Sequence, residues 1–329
     1  MLWIAVLSAL GGLLLLALGG ELLVRGAVGL ARRLGLSNLL IALTVVAFAT
    51  SMPELVVTVA AALSDKPDLG LGNIVGSNIT NSLLIVGAAG LIAALPPAAG
   101  LSRRDAPSLL GVTLLFLLLA FFTAPLAWPQ GLLLLGLMGV YLVGCYRQEC
   151  RVPDGDAVNE VAELSEEAPA RLDAALGLTA LGCAALAFGA QLLVDGSIDL
   201  ARAAGISDAA IGLTLVAFGT SLPELATSIT AALRRHPDVV LGNVIGSNLF
   251  NLLAIGGVLC LPGKVPIAAE FRRFDLWVLA GCTVVLVLLL RRGRPIGRVA
   301  SLLLILAYAG FLWAQFGDEA RLAAAVAGH

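Results

Sequence analysis

Two glutamates stand where an apolar chain has least use for them. Glu54 follows Thr50, Ser51 and Pro53 in "FATSMPELVV", and Glu224 follows Thr220, Ser221 and Pro223 in "FGTSLPELAT". A carboxylate near a bilayer centre costs roughly 2.5–3.5 kcal/mol on insertion scales, and this chain accepts that cost at both places. Each proline lacks an N–H and crowds the carbonyl four residues back, at Ala49 and Gly219. A helix is expected to open there, leaving carbonyls near 46–49 and 216–219 without amide partners. In lipid such groups are tolerated only where protein, water or an ion satisfies them. Carboxylate, carbonyl and hydroxyl oxygens together form a hard donor set that suits Ca²⁺, Na⁺ and similar ions. No imidazole or thiolate accompanies them, which disfavours Zn²⁺ or Cu⁺.

A second motif supplies a facing wall. In "GNIVGSNITN" Gly72 and Gly76 are spaced to let helices approach closely, and Ser77 and Asn81 share a helical face. "GNVIGSNLFN" repeats the pattern with Gly242, Gly246, Ser247 and Asn251. Each motif alone has an ordinary explanation: a proline kink, a packing glycine pair, an asparagine tying two helices. Packing by itself does not call for the same Thr-Ser-x-Pro-Glu twice.

The elements that must carry these residues are membrane helices. Of 329 residues 59% are hydrophobic and only 13% charged, beyond the usual range of soluble domains. Ten apolar spans are expected, near 2–24, 38–64, 71–94, 106–124, 129–146, 174–196, 208–234, 239–261, 274–291 and 297–316. Runs such as "GLLLLAL" lack the period-two alternation of a β-barrel. A net charge of −2 gives no sign of nucleic-acid binding.

The sequence matches itself without a gap at an offset of 170 residues, as Glu54 and Glu224 show. The reading is an all-α polytopic membrane protein of two five-helix repeats, 1–146 and 174–329, joined by an acidic linker over 147–173. Five helices is an odd number, so the second repeat enters the membrane inverted, as in transporters whose site lies between the repeats at the midplane. That symmetry brings Glu54, Asn81, Glu224 and Asn251 to one centre. The N-terminal apolar run lacks a basic start and has a counterpart in the second repeat, so it is read as retained. Fourteen Lys and Arg fall on one side and six on the other, which places the arginine-rich side and the linker in the cytoplasm. Both termini are then extracytoplasmic.

The paired "ATSMPE"/"GTSLPE" and "GNIVGSNITN"/"GNVIGSNLFN" motifs resemble the two α-repeats of the cation/Ca²⁺ exchanger superfamily, most nearly its prokaryotic sodium/calcium exchanger branch. The resemblance covers nearly the whole chain. It implies an antiporter of the cytoplasmic membrane that exchanges Na⁺ for Ca²⁺, with spans 2–24 and 174–196 sliding as a gate across the other eight. Carried over residue by residue, it implies Glu54 and Glu224 as central ligands, with Thr50 and Thr220 near both ion types. Ala47, Ser51 and Ser77 would line an inner Na⁺ position, and Ala217, Ser221 and Ser247 an outer one. Asn81 and Asn251 would flank the middle. Many members carry Asp at one of these two positions. Two carboxylates neutralise one Ca²⁺ or two Na⁺, so the stoichiometry stays open and K⁺ co-transport is disfavoured.

Alternatives follow from the same residues. Proton-coupled Ca²⁺ exchange is open, because a desolvated carboxyl can take a proton in place of a cation. A passive cation channel would more typically build its pore on an oligomer axis, whereas this chain carries its own pseudo-dyad and is expected to be a monomer. A hydrolase using Ser51 or Ser221 lacks a base, since His236 and His329 lie outside the motifs. No cofactor is expected, and the acidic linker reads as a solvated tether without EF-hand spacing.

Overall fold

The structure is a computed structural model and describes residues 2–33, 50–96, 104–149, 171–204, 207–233, 235 and 237–327. The described residues are helical, with two isolated β-bridges and no strands. In chain order the helices are α1 (Leu2–Arg33), α2 (Met52–Leu63), α3 (Pro67–Ile92), α4 (Ala106–Phe122), α5 (Trp128–Glu149) and α6 (Leu172–Ala204). They continue as α7 (Asp208–Thr220), α8 (Leu222–Leu233), α9 (Pro237–Phe250, continued through Gly256–Leu259), α10 (Phe271–Arg291) and α11 (Arg298–Ala327).

Seven of these, α1, α3, α5, α6, α9, α10 and α11, are long and apolar enough to cross a membrane. An eighth span forms if α7 and α8, bent by 45° at Ser221, are taken together. The chain is therefore a multi-pass helical membrane protein. Of the ten expected spans, 106–124 appears as the 17-residue α4, and only the latter part of 38–64, the 12-residue α2, lies among the described residues. The helices α1 and α6, of 32 and 33 residues, outrun their expected spans. At 1.5 Å per residue they reach about 48 Å, beyond a ~30 Å hydrocarbon core, so they tilt or project.

The helices that carry the asparagine motifs lie at the centre. The apolar window is 83% buried in α3 and 78% in α9, against 17% in α5. Glycine is the reason α3 can sit so deep. A Cβ at Gly76 would lie 2.4 Å from the Leu213 carbonyl oxygen, and one at Gly72 2.7 Å from that of Ala209. The backbones of α3 and α7 thus touch directly, which is how helices gain van der Waals contact where lipid provides no hydrophobic drive.

The helices α1 and α6 run antiparallel and are stapled the same way. Gly12, Gly19 and Gly26 meet Leu193, Leu186 and Thr179 in turn, while Gly182, Gly189 and Gly196 meet Leu23, Leu16 and Ala9. Their inner faces share a small apolar cluster with Val57, Ala61, Leu69, Ile211 and Val216. The main core, around Phe116, Ile74, Val244 and Phe271, is a separate cluster that contains no residue of α1 or α6.

Equivalent residues of the two sequence copies exchange contacts reciprocally. Leu95 pairs with Ile296 through hydrogen bonds of 3.1 and 2.9 Å, and Val265 with Leu126 through bonds of 2.7 and 2.9 Å. Thr113 and Thr283, equivalent to each other, meet at 3.4 Å.

Candidate functional site

The helix breaks expected from the prolines fall at Ser51 and Ser221, whose backbones lie at φ −89°, ψ 7° and φ −83°, ψ 6°. Proline is tolerated in the first turn of a helix, where its missing N–H has no partner to lose. The sequence therefore restarts the helix at Met52 and Leu222 and places Glu54 and Glu224 in the first turns of α2 and α8. The partial positive charge of a helix N-terminus favours a carboxylate there.

Both glutamates are 1% exposed. Ser51 Oγ donates to Glu224 Oε1 at 3.1 Å, and Ser221 Oγ donates to Glu54 Oε1 at 3.2 Å. The hydroxyl at each break thus holds the acid of the other copy. The second oxygen of each carboxylate, Glu54 Oε2 and Glu224 Oε2, is buried without a hydrogen-bond partner. Buried polar atoms are nearly always paired, so the two bare carboxylate oxygens are exceptions that set this pair apart.

Of the other expected residues, Thr50, Thr220, Ser77, Ser247, Asn81, Asn251 and Ala217 are buried as well; Ala47 lies outside the described residues. Ser247 Oγ lies 3.2 Å from Ser51 Oγ, placed to donate to it. Ser77, expected beside Ser51, has a buried hydroxyl without a hydrogen-bond partner. The Ser51–Ser247 contact links a residue of the expected inner set to one of the expected outer set. The expectation of open carbonyls over 216–219 is also modified. Ser221 N–H donates to Ala217 O at 3.1 Å, and Gly219 O accepts a capping N–H. Thr220 Oγ1 also lies 3.4 Å from Ala217 O. The first-copy carbonyls at 46–49 lie outside the described residues.

Two features were absent from the sequence reading. Asn73 donates to Glu54 O at 3.2 Å and Thr58 Oγ1 at 3.0 Å, and it accepts from Thr220 Oγ1 at 3.1 Å. Asn243 repeats this toward Glu224 O at 3.4 Å and Ser228 Oγ at 3.1 Å. These asparagines latch each broken helix to its motif helix; their recurrence beside Gly72 and Gly242 was the available signal. The second feature is a widened π turn that begins at Asn81 and again at Asn251, spanning Asn81–Ile85 and Asn251–Ile255. Single π turns inside α-helices often mark functional sites. Among the described residues, no three His, Cys, Asp or Glu side chains cluster as a metal site. The donors here are two carboxylates and neutral oxygens.

Comparison with known proteins identifies the family. The family described as "Sodium/calcium exchanger protein" matches residues 4–147 and 174–317. CaxA of Alkalimonas amylolytica is 40% identical over 323 residues, covering 96% of this chain and 99% of that protein. The sodium/calcium exchanger MaX1 of Methanosarcina acetivorans is 31% identical over 348 residues, covering 96% and 99%. Among solved structures, the sodium-calcium exchanger NCX_Mj soaked with 2.5 mM Na⁺ and 1 mM Sr²⁺ superposes with a TM-score of 0.62 at 30% identity, covering 95% of this chain and 99% of that one. The chain belongs to the sodium/calcium exchanger family, in the prokaryotic branch of the cation/Ca²⁺ exchanger superfamily. It is a membrane transport protein rather than an enzyme, of a family that exchanges cations against Ca²⁺.

Proposed function

We propose that the chain is a Na⁺/Ca²⁺ antiporter whose ions bind between Glu54 and Glu224. The observation that carries this reading is the reciprocal pair of buried carboxylates, each with one oxygen held by a serine and one bare. One Ca²⁺ or two Na⁺ neutralise the pair, so either occupant excludes the other and the two fluxes are coupled. Thr50, Thr220, Ser51, Ser221, Ser77, Ser247, Asn81 and Asn251, with Ala47 and Ala217, supply the neutral oxygens.

Alternating access is assigned to α1 and α6. Their stapled contact makes them one body, and their separate apolar seam lets that body slide across the core without opening it. The reciprocal contacts support two inverted repeats of five helices, with the ten spans completed by α2 and α4. The arginine distribution favours the cytoplasmic membrane with both termini outside. The 147–173 segment is a cytoplasmic tether, and a monomer suffices because both halves of the site lie in one chain.

Proton coupling is the second reading, since two protons neutralise Glu54 and Glu224 as fully as one Ca²⁺. Purified protein in Ca²⁺-tight liposomes loaded with Na⁺ separates the two. Uptake of ⁴⁵Ca²⁺ on dilution into Na⁺-free buffer is expected to require the Na⁺ gradient. Uptake driven by a pH gradient alone would replace Na⁺ by H⁺ as the counter-ion.

A further inference from the structure

The two halves of the site are not equivalent, and one residue accounts for the difference. Asn81 and Asn251 occupy the same place in the two copies, as do Asn78 and Asn248. In the structure Asn81 Nδ2 donates to Asn248 Oδ1 at 3.1 Å. Asn248 Nδ2 in turn donates to Ser82 Oγ at 2.9 Å. All three side chains are about 1% exposed.

The chain of bonds sets each amide in one sense. Asn248 gives its Nδ2 to Ser82 Oγ, which leaves its Oδ1 for Asn81. Asn81 gives its Nδ2 to Asn248 Oδ1, and its own Oδ1 is left over. That oxygen is buried and has no hydrogen-bond partner.

The second half lacks the first link. The position equivalent to Ser82 is Leu252, which offers no acceptor. Asn78, the equivalent of Asn248, bends back to its own helix and donates to Ile74 O at 2.7 Å. Its Oδ1 is unpartnered, and Asn251 has neither amide atom engaged. Asn251 is therefore free to present either end, whereas Asn81 is not.

We propose that Ser82 and Asn248 are positioning residues that hold the Asn81 carbonyl oxygen toward the cation, and that Asn251 makes no matching fixed contribution. The proposal rests on the reading of Glu54 and Glu224 as the cation site. A two-acid site gains most from a neutral oxygen that is already oriented, because the ion then does not have to order that ligand as it binds. Partners one layer behind a ligand are typically worth 10–100-fold in metal affinity.

The test is a cycle of variants assayed for half-saturating Ca²⁺ in liposomes and for Ca²⁺-dependent thermal stabilisation of the purified protein. Ser82→Ala and Asn81→Ala are each expected to raise half-saturating Ca²⁺ roughly 10-fold, with a smaller change in maximal rate. If Ser82 acts through Asn81, the double variant is no weaker than Asn81→Ala alone. Asn251→Ala is expected to cost less than Asn81→Ala. The proposal is overturned if Ser82→Ala stays within about twofold of the parent. It also fails if the Ser82 and Asn81 effects multiply, or if Asn251→Ala is the costlier asparagine change. Should Ser82→Ala not fold, Ser82→Cys, near-isosteric but a weak acceptor, takes its place in the cycle. Glu54→Gln runs alongside. Normal Ca²⁺ binding by that variant overturns the cation-site reading and this proposal together, while its loss with an unchanged Ser82→Ala overturns the positioning role alone.

Discussion

Removing one carboxylate from the central pair is the sharpest perturbation this site allows. In Glu54→Gln the side-chain carbonyl still accepts from Ser221 Oγ, which lies 3.2 Å from Glu54 Oε1 in the parent. Shape and local bonding survive, and one unit of charge is lost. Breaking a desolvated ion contact of this kind costs about 3–5 kcal/mol, or about two to almost four decades of affinity. The stability of the ion-free protein moves the other way or not at all, because a buried charge without a counter-charge has been removed. The assay is thermal unfolding of purified protein with and without Ca²⁺. At a Ca²⁺ concentration 100 times its Kd, the parent gains about 2.7 kcal/mol from binding; a variant 100-fold weaker gains only about 0.4 kcal/mol. Glu224→Gln is expected to behave alike, since Ser51 holds it as Ser221 holds Glu54. A Glu54→Gln protein that keeps the full Ca²⁺-dependent stabilisation would refute the assignment of the pair as the ion site.

The helix contacts lead to further expectations. Gly19→Val places a Cβ 2.9 Å from the Leu186 amide nitrogen, so α1 and α6 are pushed apart; transport rate is expected to fall sharply while Ca²⁺-dependent stabilisation persists, and an unchanged rate would detach the pair from the gate. Asn73→Ala leaves Thr58 and the Glu54 carbonyl without their side-chain donor and is expected to lower stability by about 1–3 kcal/mol, read by thermal unfolding without Ca²⁺. Deleting 152–168 is expected to leave Na⁺-driven Ca²⁺ uptake intact, and loss of uptake in a folded deletion variant would make the segment more than a tether.

Much of the site was legible because its features are local or repeated. The prolines at 53 and 223 break the chain through their own covalent structure, and the breaks fall beside them, at Ser51 and Ser221. The duplication at an offset of 170 residues separated Glu54 and Glu224 from ordinary interfacial acids. Glycine spacing announced close helix contact, and Gly72 and Gly76 do lie against the α7 backbone, whereas a Cβ at Gly242 or Gly246 would meet nothing within 4 Å among the described residues. Apolar runs located the spans, and the break expected beside Pro223 within 208–234 appears as a 45° bend.

Sequence alone thus determined which residues are polar, which helices break and that everything occurs twice, because these follow from side-chain chemistry and backbone sterics within a few residues. Only the tertiary structure decided who faces whom. Ser51 reaches Glu224 and Ser247 across the molecule, since the two copies interlock. The role of Asn73 and Asn243 as latches and the inequality of Asn81 and Asn251 were decided there too. A hydrogen bond depends on the direction of two side chains brought together from distant segments, and no local stretch of sequence carries that direction.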